Sequence, residues 1–169
     1  MISKNYKTNE IKPDITLGNL EFTAGDLMFD WVPFEIPLGS AELKDVSGHI
    51  MGTDTVSQAG ELFSLVFAKS INGVAPTSLG TVNSAIAAAN SMLCRNNIIG
   101  YYSIDFGEQA DAVLDSMVSY NVFGSNYSTA TSPNFQGLVL EGDPAGATRA
   151  GYQTIYVAGI AEAAFNFGT

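Results

Sequence analysis

The sequence predicts an α+β, mostly β fold: a single small barrel-like or sandwich-like β domain with two inserted helices and an extended N-terminal arm. Three observations carry this expectation. Apolar and polar residues alternate with a period of two through most segments; 17 glycines and 6 prolines punctuate the chain at short intervals; and the two stretches of helical periodicity both fall between residues 81 and 120. A chain of 169 residues with 46% hydrophobic and 11% aromatic content can bury one core but is short for two domains.

The elements follow in order. Residues 1–14 are polar and carry Lys4, Lys7 and Lys12, and Pro13 disfavours helix just before it. An arm is therefore expected over residues 1–25, with one globular β-rich domain over 26–169. Ile15–Leu17 and Leu20–Phe22 alternate as short strands, broken by Gly18 and Gly25. Leu27–Pro37 is rich in β-formers but holds Pro33 and Pro37, which cannot donate to a ladder; it reads as an edge strand or as an extended segment lying on a partner. Its Trp31, the one tryptophan, suits a core anchor or an interface anchor. Ala41–Leu43 and Val46–Met51 give another strand pair, and Ala59–Lys69 a long strand pattern.

After a loop, Thr81–Arg95 places Val82, Ile86, Ala89 and Leu93 on one helical face, with Thr81 as cap and Arg95 at the negative end. Ile98–Phe106 returns to strand alternation. Glu108–Tyr120 spaces Ala110, Val113, Leu114 and Met117 as a second helix, although the same letters also read as a strand. The polar run 124–134 is an exposed loop, Phe135–Leu140 a strand, 141–150 a glycine-proline loop, and Gly151–Phe167 a long β segment.

Charge and chemistry narrow the function. Seven basic against 17 acidic residues give a net charge of -10, a field that repels phosphate and disfavours nucleic acid as a partner. The first twelve residues run the other way, with three lysines against Glu10. No apolar run approaches the roughly 20 residues needed to cross a bilayer, and the N-terminus lacks the apolar middle of a signal peptide. No membrane partner is expected, and a soluble, reducing setting is. The lone Cys94 forms no internal disulfide and reads as a small buried thiol.

Side-chain catalysis at neutral pH draws heavily on histidine, and His49, the single one, sits in an alternating strand pattern. One Cys and one His far apart do not make a typical zinc site, and neither a calcium loop nor a phosphate-cradling glycine motif is present. Asp26 with Asp30, and Glu108 with Asp111 and Asp115, read as solvated acidic faces, with a paired-carboxylate hydrolase as the alternative. The expectation is a non-enzyme without metal or cofactor.

The C-terminal segments GLVLEGDPAGATRAG and YQTIYVAGIAEAAFNFG resemble the end of tailed-phage head decoration proteins of the lambda type. The matching order is an apolar strand at Gly137–Leu140, an acidic loop from Asp143 to Gly151, and a strand carrying Val157, Gly159, Glu162 and Phe165. Val56–Gly73 gives a fainter echo of the same family. The chain departs by its segments between 81 and 120 and by its longer N-terminal stretch. The resemblance implies a capsid cement protein on the outside of a phage head, made in the host cytoplasm, trimeric, and bound to the major capsid protein. Its N-terminal arm would add as a strand, with Ile11, Ile15, Leu17, Leu20 and Trp31 as the capsid contacts. Another head-tail or tail component, or a glycan-binding β domain, are the alternatives. The low charged fraction of 14%, against roughly 25% in ordinary soluble domains, suits flanks covered by neighbours.

Overall fold

A computed structural model of the chain describes residues 7–13, 21–51, 62–105, 110–114, 117–123 and 137–166. Its centre is strand β10, for which the sequence supplies a near-continuous apolar run. The strands in chain order are β1 (Glu21–Phe22), β2 (Leu27–Pro37), β3 (Ala41–Leu43), β4 (Asp45–Met51), β5 (Leu62–Lys69), β6 (Ile98–Asp105), β7 (Ala110–Leu114), β8 (Met117–Phe123), β9 (Leu138–Leu140), β10 (Tyr152–Ala161) and β11 (Phe165–Asn166). The helix α1 spans Ala88–Cys94.

The main sheet is antiparallel in the order β2-β10-β5-β6. Ile155 of β10 lies opposite Phe34 on one side and Lys69 on the other. Both faces are covered, which is why β10 is apolar at nearly every position rather than at alternate ones. On one face Phe63, Leu65, Phe67, Ile155 and Val157 form the larger core, packed by Leu43, Val46 and Leu138 from outside the sheet. On the other, Ala158 and Leu27 are sealed by Leu79 and Cys94, with Trp31 and Ile86 beside them. Smaller sheets pair β3 with β9, β1 with β11, and β4, β8 and β7 in that order. The fold is mostly β, and among the described residues the sheets do not close into a barrel.

Two expectations are corrected. Residues 110–114 and 117–123 are an antiparallel strand pair, not a second helix, with Leu114 opposite Met117 and β8 continuing onto β4. Val113, Leu114 and Met117 fit both periods, and the pairing of β8 with both β4 and β7 decides for strand where a short helix without packing is marginal in water. The first helix is much shorter than Thr81–Arg95. Residues 83–86 instead lie along β2, where Ser84 O accepts from Leu27 N at 3.0 Å and Asn83 N donates to Leu27 O at 2.8 Å. Asn83 stands at φ +58°, outside the helical region, and Ala87 rather than Thr81 precedes the helix without a side-chain cap. Met92 and Leu93 are exposed at 64% and 65%, while Cys94 is buried.

The boundary of the arm also shifts. Phe22 is only 1% exposed within the larger core and pairs with Phe165, so the body takes in residues placed in the arm by sequence. The expected strand at Ile15–Leu17 and the loop at 124–134 lie outside the described residues.

Candidate functional site

The strand alternation that builds the larger core leaves part of its floor open. Phe29 and Phe34 of β2, Phe63 and Phe67 of β5, and Val157 of β10 face a cavity of about 350 Å³. Leu43 and residues 45–49 form one wall, and arm residues including Lys7, Asn9, Ile11 and Pro13 form another. Phe34 and Phe67 meet edge to face at 6.4 Å between centroids, fixing the aromatic floor.

Side chains hold the arm here. Ile11 is half-buried against the larger core. Lys7 donates from Nζ to the carbonyl oxygen of Glu35 and stands 4.4 Å from the centroid of the Tyr152 ring, whose other cationic neighbour is the Arg149 guanidinium at 4.2 Å. Lys12 pairs locally with Glu10 at 3.0 Å, and both are exposed. Among the described residues no backbone hydrogen bond joins 7–13 to the body.

Glu35 organises the neighbouring loop. Its Oε1 accepts from Thr148 N at 2.6 Å, Thr148 Oγ1 at 2.8 Å and Arg149 N at 3.3 Å. The Thr148 hydroxyl, then the Thr148 backbone, hold this carboxyl below its ordinary range. Asp143 acts likewise on the loop that closes over β10. It accepts from Gly73 N at 2.8 Å and from Ala145 N at 2.9 Å, capping the turn Pro144–Gly146, and these bonds, Gly73 first, depress its pKa.

The outer edge of β2 is closed to further strands. Leu38 N donates to Gly151 O at 3.0 Å beside the Pro37–Tyr152 pair, so residues 33, 35 and 37 turn their backbone groups away from β10. Two of these three are prolines without an N–H, and Lys7 occupies the carbonyl of the third. The other end of the same edge is taken by residues 83–84 and by Leu79 N, which donates to Asp30 Oδ1 at 3.1 Å.

Of the five residues expected to contact a capsid, Ile11 lies at the cavity, and Ile15, Leu17 and Leu20 lie outside the described residues. Trp31 is on the opposite face of the main sheet from Ile11, half-buried, with its indole N–H donating to Thr77 O at 2.9 Å. The structure therefore does not bring Ile11 and Trp31 together. His49 is exposed at the cavity wall, and Cys94 is buried, its thiol pushed up by desolvation. Asp26 and Asp30 are not a solvated face. Asp26 is 6% exposed and accepts from Thr23 N and Oγ1 at 2.7 and 2.9 Å, bracing the turn into β2. Glu108 and Asp115 lie outside the described residues.

The roles of Lys7, Glu35, Tyr152 and Arg149 are invisible in the sequence, because each depends on a partner far along the chain. The prolines of β2 are the one legible signal at this site. No family model, curated protein or solved structure matches the chain.

Proposed function

We propose that this chain is a virion structural protein that binds the outside of a phage capsid and stabilises it, with its N-terminal arm adding as a strand to the major capsid protein. The observation that carries the reading is the state of the arm: residues 7–13 are fastened by two side chains, Lys7 and Ile11, while their backbone makes no bond to the described body. An arm of this kind keeps its N–H and C=O groups for a partner strand. The blocked edge of β2 supports the same reading, since it disfavours copies of the body from pairing there. A homotrimer on the capsid exterior and the contact role of Ile11, Ile15, Leu17, Leu20 and Trp31 belong to this proposal through the resemblance of the C-terminal segments to lambda-type decoration proteins.

Deletion of residues 1–20 tests it. That variant should keep its β circular dichroism and cooperative unfolding, because β1 and the core remain, yet fail to co-sediment with expanded capsids that bind the full chain. Undiminished co-sedimentation sinks the arm mechanism, and a full chain that binds tails but not heads moves the protein to another virion position.

A further inference from the structure

We infer that Asn72 and Gly73 form a site of spontaneous intramolecular modification, deamidation of Asn72 through a succinimide, and that Asp143 restrains the reaction by holding the Gly73 amide. The chemistry asks nothing of a capsid and holds or fails independently of that reading.

The sequence supplies the reacting groups. Asn72-Gly73 is the one Asn-Gly pair in the chain. The backbone nitrogen that follows an asparagine can close a five-membered ring on its Cγ, and glycine, having no Cβ, shields that nitrogen least. Both residues are exposed at the tip of the hairpin between Ile71 and Val74, where solvent hydroxide and water reach them.

The reaction balances with water as its co-reactant. Hydroxide takes the Gly73 amide proton and the nitrogen attacks Asn72 Cγ. The N–Cγ bond forms as the Cγ–Nδ2 bond breaks, and ammonia leaves with a proton from water. Water then opens the ring at one of its two carbonyls, which leaves aspartate, or isoaspartate with the main chain rerouted through Cγ. Either product sets a new carboxylate beside Asp143. Isoaspartate also lengthens the main chain of a two-residue turn, whose flanking residues exchange two bonds of 3.0 Å.

The tertiary structure sets the rate. Gly73 N donates to Asp143 Oδ2 at 2.8 Å. Ring closure passes through a deprotonated amide nitrogen, and that anion would face the carboxylate at hydrogen-bond distance. The hydrogen bond is then lost and like charges meet. Asp143 does not offset this by taking the proton itself. The bonds from Gly73 N and Ala145 N, with Lys69 adding attraction, hold its carboxyl below the ordinary range and leave it a weak base. The loop also crowds the turn, since a Cβ on Gly73 would stand 3.2 Å from Ala145 O. The amide has little room to swing away from Asp143.

Peptide mapping by mass spectrometry, after timed incubation of the full chain at mildly alkaline pH, tests the inference. Asn72 is expected to deamidate readily in the chain unfolded by guanidinium chloride, and at least about tenfold more slowly in the folded chain. Asp143→Asn keeps an oxygen acceptor but loses the charge; its own side chain precedes Pro144, which has no N–H, so it adds no second site. That variant should deamidate at Asn72 about tenfold faster than the parent, about 1.4 kcal/mol of barrier. Gly159→Ala, which weakens the core at Phe29 rather than the loop, should keep the parental rate while folded by circular dichroism. No reaction at Asn72 in the unfolded chain overturns the site. The restraint is overturned by a folded parent as fast as the unfolded chain, by Asp143→Asn at the parental rate, or by Gly159→Ala as fast as Asp143→Asn.

Discussion

At the scale of single residues, Gly159 shows why one letter of the C-terminal pattern is needed. It lies opposite Phe29 on β2 and Leu65 on β5, and a Cβ there would run into the Phe29 ring, itself only 7% exposed. Gly159→Ala is expected to cost about 1–3 kcal/mol of stability by overpacking, read from urea midpoints. Adding Phe29→Leu should return part of that loss, because the two sites are in contact and do not add independently. Asp143 makes a pH prediction. Its folded pKa is depressed, so the native state binds fewer protons than the unfolded chain near the carboxylate range. Its contribution is therefore present above its unfolded pKa of about 4 and fades as the pH falls through the lower folded value. Asp143→Ala should lose about 1 kcal/mol at pH 7, as cap removals do, and this gap to the parent should close in acid. Glu35 follows the same sign, with Thr148 as its main partner.

At the scale of elements, edges and hairpins decide more than propensity does. Asn72 and Gly73 both take positive φ, +53° and +77°, between Ile71 and Val74, whose backbones exchange two bonds of 3.0 Å. This is a tight primed turn, and Asn-Gly is the pair that adopts it at least cost. The edge of β2 carries the next prediction. Replacing Pro33 and Pro37 with threonine restores two outward N–H donors in a β-compatible residue. The double variant should stay folded but self-associate, seen as a concentration-dependent rise in mass by light scattering; a strictly unchanged mass would show that the prolines do not guard this edge. The 110–123 segment teaches the opposite lesson. Its apolar spacing satisfied two periods at once, and only the register with β4, Met51 opposite Met117, chose the strand.

For the whole molecule, composition and alternation determined the mostly β class, the buried thiol of Cys94 and the edge character of β2, because each depends on the chemistry of a residue and its near neighbours. Local pattern placed Phe22 in an arm, whereas long-range pairing with β11 drew it into the core. Which sheet each strand joins was decided only in three dimensions. The same holds for the cavity, whose walls come from residues 7–13, 43–49 and the three strands β2, β5 and β10. Lys7 reads as one more solvated lysine until Glu35 and Tyr152 stand beside it. The segment 81–87 kept helical spacing on paper but yielded to the unsatisfied edge of β2, where Leu27 offered both a donor and an acceptor. A sequence determines what its residues prefer among their neighbours. The partners of backbone groups and charges separated by tens of residues are fixed only when burial forces every such group to find one, and that selection belongs to the tertiary structure.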